Sequence, residues 1–173
     1  MKKALVVVDY QIDFVNGALG FAGAELLDAL IVGKINECRK NGGKVIFTFD
    51  THTEDYLNTS EGKKLPVPHC VKGTEGHKLF GKVAECVRPE DAVIEKPSFG
   101  SLELIEVLKN GSFDEVELCG LVTDICVVSN AVIAKAALPE ARVVVDGKAC
   151  ASFDRDKHNA ALEVMKSVQV DVI

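Results

Sequence analysis

Residues 115–138, EVELCGLVTDICVVSNAVIAKAAL, contain the pattern that decides the fold class. The first part, Glu115–Cys119, is a short run rich in apolar and β-branched residues, which predicts a strand buried on both faces of a parallel sheet. After Gly120, the segment Asp124–Leu138 has a helical pattern and stops before Pro139. A buried strand followed by a helix is the repeating unit of α/β proteins.

The same alternation extends in both directions along the chain. Helical patterns separate further strand-like runs, and right-handed crossovers between the strands predict an open, doubly wound parallel sheet of about six strands with helices on both faces. No repeat or linker interrupts residues 1–173, so we predict one domain. The further predicted strands are Ala4–Val8, Lys44–Phe49, Ala92–Glu95, Arg142–Val145 and Val168–Ile173, and the further helices are Glu25–Asn41, Ser101–Asn110 and Asp154–Ser167.

Composition excludes several classes of function. The 173 residues carry 20 Lys and Arg against 26 Asp and Glu, a net charge of −6, which disfavours binding to nucleic acids or anionic membranes. The apolar run Ala4–Val8 is too short for a signal sequence or a membrane span, and the six cysteines form no CxxC pair. We therefore expect a cytoplasmic protein with reduced thiols.

Reactive side chains follow four of the predicted strands. Because ligands of open parallel sheets bind beyond the carboxyl ends of the strands, Asp9, Asp50 with His52, Lys96 and Cys126 should lie on one rim. An acid, an amine and a thiol at one site suggest acyl transfer through a covalent intermediate.

Each of these residues also has a simpler interpretation. Thr123 or Asp124 can cap the helix that follows, which would place Cys126 in its first turn, where the helix dipole lowers a thiol pKa and free N–H groups can bind an oxyanion. Cys126 could equally be a small buried apolar residue. Asp9 alone is more typical of a turn cap, and Lys96 alone is more typical of a solvated lysine.

Asp50, His52 and His69 form a candidate metal site. A carboxylate and an imidazole two residues apart can bind one ion from an extended backbone, with His69 added from the irregular loop 51–76. Solvated loop residues are the alternative. The glycine spacing over residues 17–23 is not a dinucleotide fingerprint, so we expect no nucleotide cofactor.

Five blocks of sequence, in this order, resemble the isochorismatase-like cysteine hydrolases, and within that family most closely the nicotinamidase group. The resemblance covers nearly the whole chain. The blocks are VDYQIDF (8–14), DTH (50–52), PHCVKGT (68–74), KPSFG (96–100) and GLVTDICV (120–127).

This resemblance implies a catalytic triad of Asp9, Lys96 and Cys126. It also implies a cis peptide bond between Leu121 and Val122, and an oxyanion hole formed by the backbone N–H groups of Val122 and Cys126. The vinyl-ether-cleaving isochorismatases are disfavoured, because those enzymes lack a cysteine at this position.

The resemblance further implies one divalent ion, zinc, manganese or iron, held by Asp50, His52 and His69. Many nicotinamidases add a histidine where this chain has Asn58, so we expect Glu61 to be the fourth ligand. Many also carry a Trp where this chain has the segment 65–67, LPV. The residues expected to line the substrate pocket are Phe14, Phe99 and Leu121.

The implied activity is hydrolysis of nicotinamide, and of pyrazinamide, to the acid and ammonia through a cysteine thioester, as in NAD salvage. The expected partner is a small amide, and a homo-oligomer is left open. Two alternatives remain at this point: a metal-free cysteine hydrolase of carbamoyl or ureido compounds, and a non-catalytic α/β thiol-sensing protein.

Overall fold

The computed structural model describes residues 1–173 and contains one six-stranded sheet in the order β3-β2-β1-β4-β5-β6. Every neighbouring pair of strands is parallel, which confirms the predicted fold class. The strands are β1 Lys3–Val8, β2 Lys44–Asp50, β3 Ala92–Lys96, β4 Glu115–Leu121, β5 Arg142–Ala151 and β6 Asp171–Val172.

The helices form two groups. This is expected because the sheet grows in one direction from β1 to β3 and in the other direction from β4 to β6. The α2 and α3 helices pack together, whereas α4, α5 and α6 contact one another in succession. None of these helices is both long and apolar enough to span a bilayer. The helices are α1 Ile12–Val15, α2 Leu27–Lys40, α3 Gly81–Glu85, α4 Leu102–Gly111, α5 Val128–Ala137 and α6 Arg155–Ser167.

The elements differ from prediction mainly at their ends. The predicted helix at 124 begins instead with a π-helical turn, Thr123–Val127, and α5 starts only at Val128. The predicted strand at 168–173 shortens to two residues, because the chain turns through Gln169 in a left-handed conformation (φ 64°) before it pairs with β5. The short helices α1 and α3 were not predicted, since four or five residues do not establish a helical period.

The central strand explains why the apolar runs are continuous. Residues 4–8 of β1 are at most 2% exposed, because β1 lies between β2 and β4 and is covered on both faces. At its carboxyl end, β1 approaches Gly120 of β4, which has φ +118°. A Cβ atom there would lie 2.1 Å from the carbonyl oxygen of Val8.

We therefore expect Gly120→Ala to lower the free energy of unfolding by about 2 kcal/mol or more, because both the backbone angle and the contact with Val8 oppose a side chain. The matched control is Gly33→Ala in α2, where a Cβ atom meets nothing within 4 Å and φ is ordinary. That change should stabilise the protein by about 0.5–1 kcal/mol. Urea denaturation measures both, and equal effects at the two glycines would contradict the assignment of Gly120.

Candidate active site

Asp9, Lys96 and Cys126 converge at the carboxyl ends of β1, β3 and β4. The Lys96 ammonium lies 2.7 Å from Asp9 Oδ2 and donates to Cys126 Sγ at 3.5 Å. Thr48 donates to the other Asp9 oxygen at 2.6 Å. Lys96 is only 1% exposed, so it is not a solvated lysine, and Asp9 pairs with this ammonium instead of serving only as a turn cap.

Burial has the largest single effect on the pKa values of these three groups. It raises the pKa of the Cys126 thiol well above its usual value, and the Asp9 carboxylate adds to this increase more than Lys96 opposes it. The expectation of a lowered thiol pKa was therefore wrong for the resting site. Burial also raises the pKa of Asp9 against the pull of Lys96, whereas the neighbouring anions raise the pKa of Lys96 although burial opposes this.

The turn after β4 presents Cys126 to the cavity. The peptide bond between Leu121 and Val122 is cis, as the resemblance implies. The N–H group of Val122 has no hydrogen-bond partner within the protein, so it is available to a ligand. Neither Thr123 nor Asp124 caps the helix, contrary to expectation: Thr123 Oγ1 lies 2.8 Å from His158 Nδ1, and Asp124 pairs with Ser152.

Asp50, His52, Glu61 and His69 bring their ligand atoms within 4.8 Å of one another. Asp50 Oδ2 lies 3.1 Å from His52 Nε2 and 3.3 Å from His69 Nε2. Glu61 Oε1 lies 3.8 Å and 3.7 Å from the same two nitrogens. All four predicted ligands, including the residue predicted from loop spacing alone, therefore meet at one point.

The chemistry of this cluster fits a divalent ion. His69 Nδ1 lies 2.8 Å from the carbonyl oxygen of Val67, which can only accept, so Nδ1 carries a proton. Nε2, which lies 3.3 Å from Asp50 Oδ2, is the atom that would bind a metal once it releases its own proton. Burial opposes ionisation of Asp50, but hydrogen bonds from His52 and His69 hold its pKa below the usual range. Two imidazoles and two carboxylates are a donor set for zinc, manganese or iron.

Buried Gln11 fixes Asp50, and the sequence analysis missed it. Its Nε2 donates to the Asp50 carbonyl at 2.9 Å and its Oε1 accepts from the Asp50 N–H at 2.8 Å. Asp50 Oδ1 in turn accepts from Lys96 at 3.4 Å, so one carboxylate joins the candidate metal cluster to the ion pair. The apolar and polar pattern around Gln11 gave no signal for this role.

A cavity of about 350 Å³ lies between the thiol and the metal cluster. Phe14 and Phe99 line it, as predicted, but Leu121 does not, because its side chain is fully buried away from the cavity. The other apolar lining residues are Leu19, Leu65, Val122, Ile125 and Phe153.

Comparison with known proteins agrees with this geometry. The isochorismatase domain model matches residues 3–173, and the chain belongs to that family. An uncharacterised isochorismatase family protein of Bacillus subtilis is 36% identical over 94% of this chain and 93% of its own length. The nicotinamidase/pyrazinamidase of Mycobacterium tuberculosis is 30% identical over 99% of this chain and 98% of its own length.

Solved structures show the same fold. The nicotinamidase/pyrazinamidase PncA of Bacillus subtilis superposes with a TM-score of 0.89 at 32% identity, covering 99% of both chains. The pyrazinamidase of Pyrococcus horikoshii, solved in complex with zinc, has a TM-score of 0.85 at 24% identity over 99% of this chain and 98% of its own. Family, fold and relatives together define an amide hydrolase, which excludes the non-catalytic alternative.

Replacing Lys96 by Met should raise the pKa of Cys126 further, because the positive charge that lowers this pKa is lost. The rate of Cys126 alkylation by iodoacetamide, followed against pH by peptide mass spectrometry, measures the shift. Lys72→Met is the control, since Lys72 is exposed and pairs with Glu95. Equal pH profiles for the Lys96 variant and the wild type would contradict the contact between Lys96 and the thiol.

Glu61→Ala should weaken zinc binding by about tenfold or more, because one of four ligand groups is lost and even the loss of an outer-shell partner costs about that much. Metal content after dialysis against zinc, measured by elemental analysis, checks this. Glu54→Ala, in the same loop but outside the cluster, should bind zinc as the wild type does. Unchanged zinc in the Glu61 variant would remove Glu61 from the site.

Proposed function

We propose that the protein hydrolyses nicotinamide, and pyrazinamide, to the carboxylic acid and ammonia through a thioester on Cys126. The observation that carries this proposal is an apolar cavity with the contact group Asp9, Lys96 and Cys126 at one end and the metal cluster at the other. A cavity of roughly 150 Å³ already holds benzene, so a six-membered ring fits between the two ends.

The first step joins sulfur to carbon. Because the thiol is protonated in the resting site, Asp9 takes its proton while Cys126 Sγ attacks the amide carbonyl. Burial raises the pKa of Asp9, which makes the carboxylate a stronger base for this transfer. Lys96 keeps its own proton and offsets the negative charge that passes between the carboxylate and the sulfur.

The tetrahedral intermediate places a negative charge on the former carbonyl oxygen. The unpaired Val122 N–H and the N–H of Cys126 are the proposed donors to that oxygen. When the C–N bond breaks, protonated Asp9 gives its proton to the leaving nitrogen, and ammonia departs.

Water then completes the reaction. Asp9, again ionised, takes a proton from water, and the resulting hydroxide attacks the thioester carbonyl. The C–S bond breaks, the proton returns to sulfur, and the acid leaves.

Asp50, His52, Glu61 and His69 would hold the divalent ion. When bound, the ion supplies a Lewis-acid contact for a ring nitrogen, which orients the substrate. The chain's own contribution to binding is apolar: Phe14, which packs against His69 with ring centroids 5.5 Å apart, and the other side chains of the cavity contact the faces of the ring.

The names of the relatives support nicotinamide and pyrazinamide as substrates, and the zinc complex of the Pyrococcus horikoshii protein supports zinc. Ammonia release from nicotinamide, pyrazinamide and N-carbamoyl compounds, with metal analysis of the same sample, tests the substrate class. Turnover of carbamoyl compounds alone by metal-free protein would replace this proposal with the carbamoyl-hydrolase alternative.

Cys126→Ala should abolish ammonia release, with a loss of more than about 10³-fold in kcat, because the nucleophile is gone. Cys126→Ser should lose nearly as much, since Asp9 is too weak a base to activate a hydroxyl. Cys38→Ala is the control, because Cys38 lies outside the cavity. Activity of the Cys126→Ala variant above about one hundredth of the wild-type rate would contradict the covalent mechanism.

A further inference from the structure

Asn130 on α5 links two segments of the active site. Its side chain is fully buried. Its Nδ2 donates to the carbonyl oxygen of Cys126 at 2.8 Å and to that of Phe99 at 3.0 Å, and its Oδ1 accepts from the N–H of Ser101 at 3.0 Å. One amide therefore joins the turn that carries the nucleophile to the loop that carries an aromatic wall of the cavity.

These hydrogen bonds allow only one orientation of the Asn130 side-chain amide. The two carbonyl oxygens can only accept and the Ser101 N–H can only donate, so the amide nitrogen and oxygen of Asn130 have one consistent assignment. Both N–H groups of the amide are used. Loss of the side chain would leave backbone groups of two segments without partners in a buried position, which is costly.

The loop 97–100 is held at two further points. Lys96 donates to the carbonyl oxygen of Ser98 at 3.0 Å. Gly100 lies against α5, where a Cβ atom would be 2.6 Å from Ile133 Cδ1. Between these anchors the Phe99 side chain reaches the cavity although it is 42% exposed, so few packing contacts hold the ring itself. Its position depends on the backbone that Asn130 fixes.

We propose that Asn130 is a positioning residue that sets the distance between the Phe99 ring and the Cys126 thiol, and thereby the preference of the site for flat aromatic amides. The proposal rests on the proposed function for its substrate. Asn130 reaches Cys126 only through the backbone carbonyl, so it does not take part in bond breaking.

The substitution Asn130→Thr should keep the hydrogen bond to Cys126 and remove those to Phe99 and Ser101. A threonine in a helix can donate to the carbonyl four residues earlier, which here is that of Cys126. It is too short to bridge to Phe99 and Ser101 as well. We expect KM for nicotinamide to rise about tenfold, since small displacements of a binding wall are costly, with kcat and the rate of Cys126 labelling by iodoacetamide within about twofold of wild type.

Ser129→Ala is the matched control. Ser129 makes the same kind of bond, from Oγ to the carbonyl oxygen of Ile125 at 2.6 Å, but has no hydrogen bond to the Phe99 loop. The Ser129→Ala substitution removes one side-chain hydrogen bond near the start of α5 and should leave KM within about twofold of the wild-type value. A rise in KM equal to that of Asn130→Thr would assign the effect to the helix and overturn the proposal.

A double-mutant cycle with Phe99→Ala tests whether Asn130 acts through the ring. If it does, Asn130→Thr should change KM by less than about twofold once the ring is absent, because the two substitutions then affect one interaction. Effects that multiply independently would mean that Asn130 supports the site in another way, and would overturn the proposal.

A labelling experiment keeps this test independent of the substrate. N-phenyl iodoacetamide and iodoacetamide both alkylate thiols, but only the first has a ring for the Phe99 wall to contact. The ratio of their rates at Cys126 should fall about fivefold in Asn130→Thr, and an unchanged ratio would overturn the proposal. If the wild type shows the ring preference but releases no ammonia from nicotinamide, the proposed function fails while the role of Asn130 stands.

Discussion

The buried ammonium of Lys96 is the interaction on which the site depends. It lies at 1% exposure, 2.7 Å from Asp9 and 3.4 Å from Asp50. A charge removed from water is stable only with close partners of opposite sign, and removal of one partner from such a group is strongly destabilising. These ion pairs therefore join the carboxyl ends of β1, β2 and β3, which are also connected by their backbone hydrogen bonds.

Asp50 connects the buried Lys96 ammonium to the metal cluster. One of its oxygens accepts from Lys96, and the other lies close to both histidines of the metal cluster. The two ends of the cavity therefore share a carboxylate, whose backbone Gln11 fixes through two hydrogen bonds. Lys96 and the metal cluster are thereby held at a fixed separation, which suits the proposed substrates, in which the amide and the ring nitrogen also lie at a fixed separation.

Much of this could be predicted from the sequence, because the strands are buried on both faces and the reactive residues follow them directly. Asp9, Lys96 and the metal ligands lie where strand ends or loop spacing placed them. Several features could not be predicted, among them the role of Gln11 and the three that follow. Burial raises the pKa of Cys126, whereas a lowered pKa was expected. The side chain of Leu121 is buried and does not face the cavity. Asn130 bonds to Phe99, 31 residues earlier in the chain, and to Cys126, four residues earlier. Each depends on contacts between elements that no local pattern encodes.

The direction of the thiol pKa also bears on the proposed thioester mechanism. A preformed thiolate would need a site that stabilises it before substrate arrives, and here the adjacent Asp9 carboxylate opposes that charge. Proton transfer from Cys126 to Asp9 leaves the number of negative charges beside Lys96 unchanged, because the charge only moves from oxygen to sulfur. The lysine lies within 3.5 Å of both atoms, so it stabilises the charge before and after the transfer. In the proposed mechanism, the burial that keeps the resting thiol protonated therefore adds little to the cost of attack, provided that proton transfer and carbon–sulfur bond formation occur together.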